Sequence, residues 1–355
     1  MTSDKKKKSI VKKYLGYIFP IILMVVFLYL TFKDVNLHEA LSIIADSSLL
    51  WLIIFIFSFY ISHIIRAVRW KVMLSSTKQD TSLLYLLGAT MIGYGVNSFV
   101  PRLGEFYRGM FAGKWENISR PSVLGSIVVE RVIDILILGA SVLVSVIIYP
   151  GNLYQDVVWL KSALYFGFLG IFLIITVLIF LVKMKHKFYD WIVRFIGRFS
   201  EPGAKKLSYI FEMLVDGFST VKGLKNFIWV TILSALIMLS YGLTSYIGFY
   251  VLNFDATHEV SFGMAWIVMT ISAFGVIIPT PGGTGSYHFI VKAVLVGLFA
   301  FSQEAGSAFA LLTHTMSMII FILSMFFFIV YINNYRVKLG FPKEDFFSVI
   351  RGKST

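Results

Sequence analysis

The chain has 355 residues, 57% of them hydrophobic and 17% aromatic, with only 14% charged. Soluble domains carry about 25% charged residues, so composition excludes a soluble fold and leaves an integral membrane protein of several helices, with no room for a large extra soluble domain. The net charge of +13 fits cytoplasmic loops facing anionic lipid better than nucleic-acid binding.

In chain order, Lys5, Lys6, Lys7, Lys8, Lys12 and Lys13 precede an apolar run over 15–32 that is about long enough to span a bilayer. No small-residue cleavage site follows it, which predicts an uncleaved first helix with its N-terminus in the cytoplasm. Segment 33–48 carries Asp34, Glu39 and Asp46 against Lys33 and reads as an external loop. A helix over 49–65 leads to Arg66, Arg69 and Lys71, read as a cytoplasmic flank. The apolar run 83–100 then reaches a break at Pro101 and Gly104, and the chain turns basic again at Lys114 and Arg120. Both ends of 83–113 therefore read as cytoplasmic, which makes this stretch a broken hairpin.

Ser119 and Pro121 form a helix start, because serine suits the cap and proline the first turn. That helix is expected to run to Tyr149. Loop 150–160 reads as external, and a helix over 161–182 returns inside. Residues 183–225 are strongly basic and predict a cytoplasmic connector; Trp191, Ile192, Phe195 and Ile196 recur there at helical spacing, which suits an amphipathic helix on the inner leaflet or an ordinary solvated segment. A helix over 226–251 leads outward to Asp255 and Glu259. The run 262–278 meets a second break, 286–300 is again apolar, Gln303 and Glu304 read as external, and a last helix over 306–332 ends before Arg336, Lys338 and Lys343.

Residues 49–149 and 226–332 thus each run helix, broken hairpin, helix, and the charge pattern gives the halves opposite directions. The fold class expected is all-α: one transmembrane domain over 1–355, a polytopic helix bundle with two broken, re-entrant hairpins related as an inverted repeat. Six full spans plus two hairpins fit, and so do up to ten spans. Both termini and the 183–225 connector should be cytoplasmic. The absence of native cysteine makes this a clean test. A cysteine introduced at Lys205 should label only from the cytoplasmic side, and labelling only from outside would overturn both the topology and the repeat.

Charges at a helix break in so apolar a chain are costly unless paired or wetted, and broken helices at membrane depth line a cavity or pack inside protein. The first break sets Asn97, Arg102 and Arg108 where guanidinium forks and free backbone N–H groups could hold a phosphate; the alternative is an arginine pair that only anchors the hairpin by snorkelling. Glu105 and Arg108 share a helix face. Glu130 and Asp134 lie four apart, and Arg131 and Asp134 three apart, so all three sit close on one helix. Unpaired, these acids would be too expensive to bury, which predicts pairing with one another or with Arg102 or Arg108. Glu105, Glu130, Arg131, Asp134 and His314 form the candidate gating network, or else a structural salt-bridge knot. At the second break Pro279 and Pro281 stop the helix, while Gly282, Gly283 and Gly285 let a ligand approach the main chain, with Tyr287 and His288 following. A glycine run without a P-loop lysine is weak evidence for phosphate binding. The chain has no cysteine, and its six histidines show neither HxxxH nor HExxH spacing, so no metal or cofactor is expected.

Three motifs occur in order: Pro101, Arg102, Leu103, Gly104, Glu105, Phe106, Tyr107 and Arg108; then Glu130, Arg131 and Asp134; then Pro281, Gly282, Gly283, Thr284 and Gly285. Together they resemble the transmembrane region of lysylphosphatidylglycerol synthases, a family with flippase-like stand-alone members. The resemblance implies a multi-pass protein of the cell inner (cytoplasmic) membrane. Its implied function is translocation of an anionic phospholipid or isoprenoid-phosphate lipid between leaflets, and not enzymatic turnover, because the soluble synthase domain of two-domain members is missing. Members often place an acid just after the glycine motif, where this chain has His288. The implied partners are membrane lipids with anionic headgroups; self-association and envelope-biosynthesis partners stay open. A membrane-embedded lipid-modifying enzyme and a scaffold of an envelope-synthesis complex are the competing readings.

Overall fold

The computed structural model describes residues 18–183, 200–203, 209, 217 and 223–350. The N-terminal lysines, the amphipathic pattern around Trp191 and most of the 183–225 connector lie outside the described residues. Within them every regular element is helical. Helix α1 (Ile18–Phe32) bends by 88° into α2 (Leu37–Ala45). There follow α3 (Leu49–Leu74), α4 (Leu83–Asn97), α5 (Leu103–Glu116), α6 (Arg120–Ile148), the short α7 (Leu153–Asp156) and α8 (Val158–Lys183). After the connector come α9 (Leu224–Val251), α10 (Phe262–Ile277), α11 (Ser286–Phe299) and α12 (Gln303–Lys338). Among the described residues α3, α6, α9 and α12 are each long and apolar enough to cross a membrane, and α1 with α2 makes a fifth if the bent pair is one span. Leu49, Phe57, Ile147, Phe166, Leu224 and Phe347 are exposed. In water such side chains would promote association; against lipid they face a solvent as apolar as themselves.

Local signals explain most boundaries. Ser119 caps α6 by accepting from the Ser122 N–H, and Pro121 occupies its first turn. Four stretches depart from the sequence reading; in the first, α7 and the start of α8 lie inside 150–160, where a loop is expected. Residues 37–45 form α2 and not a loop, because the Asn36 side chain accepts from the Glu39 N–H, a helix cap that charge counting overlooks. Helix α3 continues through Arg66, Arg69 and Lys71 to Leu74, since Ala67, Trp70, Met73 and Leu74 are wholly buried and carry the apolar face onward. Helix α12 already begins at Gln303 and ends beyond the expected 332, at Lys338. The order of long helix, two short helices, long helix occurs twice, as α3 to α6 and as α9 to α12.

The chain divides into two compact units, with α3, α4, α5, α9 and α12 contributing to both. The first takes the residues up to Tyr60 with Tyr94–Gly104 and Ser240–Met325. Within it α10 packs so closely on α11 that a methyl on Gly275 would lie 2.9 Å from the Ser286 carbonyl oxygen. The end of α1 is held by Lys292 of α11, which donates to the Thr31 carbonyl. Polar links tie the remaining helices: Ser58 to Thr244 at 2.7 Å, Tyr60 to Ser324 at 2.6 Å, and the Ser48 N–H to the Val251 carbonyl at 2.8 Å.

The second unit takes Ile61–Gly93, Glu105–Leu239 and Phe326–Thr355. Here α5 meets α6 at Gly109, where a methyl would stand 2.6 Å from Leu124 Cδ2. The segment after α12 folds back on α5. Asn333 exchanges two hydrogen bonds with the Glu344 backbone, Arg120 donates to the Val349 carbonyl, and the Phe346 ring stands edge-on to Tyr107 and Phe111. Helix α5, which carries Arg108, is thereby packed at Tyr107 and Phe111.

Candidate functional site

The second unit contains a cluster of six charged side chains from three helices. Glu130 of α6 is fully buried. Its carboxylate accepts from Arg66 of α3 at 2.6 Å and from Arg108 of α5 at 2.7 Å, with Arg69 of α3 at 3.1 Å and Arg131 at 3.5 Å. Asp134, one turn on, takes Arg69 at 2.6 Å, Arg66 at 2.8 Å and Arg131 at 3.6 Å. Removing a carboxylate from water costs several kcal/mol, and breaking a buried pair costs about 3–5 kcal/mol. Short charge-assisted bonds from Arg66 and Arg108, with the Arg69 guanidinium close by, offset that burial for Glu130.

Helix geometry brings the arginines together. Arg66 and Arg69 are three residues apart and so share a face of α3. Trp70, wholly buried beside them, donates its indole N–H to Ser126 Oγ at 2.9 Å and presents its ring to Arg108. The Arg108 guanidinium carbon lies 3.8 Å from that ring centroid, a cation–π stack in a water-poor setting. Arg69 also donates to Ser234 of α9 at 2.9 Å. The expected approach of an arginine at the first break to Glu130 or Asp134 is met by Arg108. Arg108 is correspondingly buried, which takes its fork away from a ligand and into the network. Arg102 does not join it. That side chain is exposed, its backbone is left-handed at φ 64°, and it enters no ion pair among the described residues.

Arg66 and Arg69 are functional candidates that the sequence reading missed. Their positive charge was taken as a loop flank. The signal that finds them is the apolar face that continues past them to Leu74.

The two breaks themselves lie in the first unit. At the first, Asn97 Oδ1 accepts the Gly104 N–H at 2.7 Å. It therefore satisfies an unpaired donor at the start of α5. Glu105 is half-buried in that helix's first turn. The second break abuts the first: a methyl on Gly282 would stand 3.3 Å from Ser98 Cα. Its backbone donors point inward. Gly283 N–H reaches the Thr280 carbonyl at 3.1 Å, Thr284 N–H the Pro281 carbonyl at 2.9 Å, and Gly285 N–H the His288 Nδ1 at 3.1 Å. Each of these three N–H groups has an acceptor within the turn, because a buried turn must satisfy its own polar backbone.

Around that turn stand Tyr287, His288 and His314. The two imidazole rings are 4.6 Å apart, and Tyr287 lies 5.3 Å from His314 and bonds Thr313 at 3.2 Å. His314 Nε2 meets the Gly282 carbonyl at 3.0 Å. A carbonyl only accepts, so Nε2 carries the proton; His288 Nδ1 accepts from an amide and so carries none. His314 is thus joined to the glycine turn in the first unit, whereas Glu130, Arg131 and Asp134 lie in the second.

Among the described residues no group of three or more histidine or acidic side chains could hold a metal. No curated protein and no solved structure matches the chain. Residues 17–324 match the family described as lysylphosphatidylglycerol synthase TM region, a match over most of the chain, and the protein belongs to that family.

Proposed function

We propose that the protein is a lipid translocator that carries an anionic phospholipid or isoprenoid-phosphate lipid between leaflets of the cytoplasmic membrane, without catalysing a covalent reaction. The observation that carries the reading is the cluster of Arg66, Arg69, Arg108 and Arg131 around the buried Glu130. Ionisable groups inside spans are functional candidates by default, and arginine forks suit phosphate oxygens. The lipid-related family supports the substrate class. In this reading the acids hold the arginines in place until a headgroup competes for them, and the lipid tails stay in the bilayer. The repeated order of helices supports an inverted repeat, in which the two halves rock about the broken hairpins.

The test is leaflet-resolved transfer of labelled phosphatidylglycerol in vesicles reconstituted with the full chain. Transfer above that of protein-free vesicles is expected, and its absence across anionic lipids would remove the translocator reading. Arg102 is a separate probe, because it is exposed and bears no ion pair among the described residues. Arg102→Gln should slow transfer several-fold while the unfolding temperature in detergent stays within about a degree or two, since surface substitutions rarely change stability much. Wild-type transfer by this variant would exclude Arg102 from the lipid path.

A further inference from the structure

We infer that Arg131 is the residue of the charged cluster that meets the phosphate of the lipid headgroup, by exchanging its pairs with Glu130 and Asp134 for the ligand. The inference rests on the translocator reading and names the binding residue within it.

Four of the six side chains are basic and two acidic, yet the four arginines are not equivalent. Arg66, Arg69 and Arg108 are buried and reach Glu130 or Asp134 at 2.6–3.1 Å. Arg131 is 37% exposed, and its distances to the same acids are 3.5 and 3.6 Å. Those are loose ion pairs at the part-exposed edge of the cluster. They are also redundant. If Arg131 turns away, Glu130 keeps Arg66, Arg69 and Arg108, and Asp134 keeps Arg66 and Arg69. No acid is left buried and unpaired. Any of the other three arginines would break a short buried bond by leaving. Among the four arginines, Arg131 can leave Glu130 and Asp134 at the least cost to the pairing of those acids.

The ligand class follows from the donors. A guanidinium fork pairs with two oxygens of one phosphate. Arg69, Arg108 and Arg131 each also have a buried Nε–H without an acceptor among the described residues, so the cluster holds more donors than its acids use. Asp134, the more exposed acid at 14%, sits beside Arg131 and competes with the incoming phosphate. A net-anionic phosphate headgroup fits this edge; a headgroup bearing an ammonium group next to its phosphate would bring that cation against the arginines.

The experiment measures binding apart from transport. The detergent-solubilised full chain is titrated with dioctanoyl phosphatidylglycerol, dioctanoyl phosphatidylcholine and inorganic phosphate, and protection against thermal unfolding is read. The wild type should be protected by phosphatidylglycerol most strongly. Arg131→Gln should bind it roughly tenfold more weakly, the loss expected for one charge-assisted contact. Arg131→Lys should fall between, keeping the charge and losing the fork. Both variants should unfold, without ligand, close to the wild type, because the pairs removed are loose and part-exposed. Unchanged affinity in both variants, or no protection of the wild type by phosphatidylglycerol, overturns the inference. Equal protection by inorganic phosphate overturns its assignment to a lipid. The two readings fail separately. Unchanged binding in Arg131→Gln with vesicle transfer intact removes only this inference, whereas Arg131-dependent binding without transfer removes only the translocator reading.

Discussion

Glu130→Gln should be among the most destabilising single substitutions in the chain. Glutamine keeps the shape and loses the charge on which Arg66, Arg69 and Arg108 converge. Its amide also presents two donors where the carboxylate presented only acceptors. Leaving buried charges without their partner costs about 3–5 kcal/mol. Asp134 softens the loss for Arg66 and Arg69, which it also holds, but not for Arg108, whose ion pair is with Glu130. The expected result is a large fall in unfolding temperature of the solubilised protein, with loss of lipid transfer. Asp134→Asn should cost less, since Glu130 retains all its partners. Wild-type stability in Glu130→Gln would mean that the arginines find other counter-ions and that the cluster is not organised by this residue.

Gly285→Ala is expected to have an effect of similar size for an unrelated reason. Gly285 sits at φ 86°, ψ −61°, a tight γ-turn conformation that is rare and strained for residues with a Cβ. An added methyl would also stand 2.6 Å from the Met24 carbonyl oxygen of α1. That neighbour is backbone, so the helix itself must move. Backbone strain alone costs on the order of 1–3 kcal/mol, and the displaced α1 adds to it. Gly297→Ala supplies the control. It lies within α11 with nothing within 4 Å of the added methyl, so the substitution should be neutral or stabilise by about 0.5–1 kcal/mol. Urea or thermal unfolding of both variants in detergent checks the contrast. Equal stability for the two would show that α1 and the glycine turn are not held at this spacing.

Much of the helical layout was legible in the sequence because it rests on short-range physics. Apolar runs of span length, the basic bias between them, Ser119 with Pro121 at a helix start, and the breaks at Pro101 and at Pro281 with its glycines are all local features. Helix α2 was legible too, from Asn36 followed by Glu39, but the acidic count of 33–48 suggested a loop and outweighed a four-residue capping pattern. The motifs also carried the family resemblance, since they are short and ordered along the chain.

The charged cluster was only half legible. Spacing placed Glu130, Arg131 and Asp134 on one stretch of α6, and the cost of burial required basic partners for them. Which partners they took was not a local matter. Arg66 and Arg69 carry the same charge whether they end a helix at the membrane surface or continue it into the interior. The outcome depended on α3 running on to Leu74 and on where α5 and α6 meet at Gly109. The same holds for Arg102 and Arg108, six residues apart in one motif. One is exposed at a left-handed turn, and the other lies on Trp70 with its charge on Glu130. Hydropathy and charge follow from residue type alone and determined that this chain is a broken-helix membrane protein. The pairing of each arginine is set by long-range packing, and only the tertiary structure decided it.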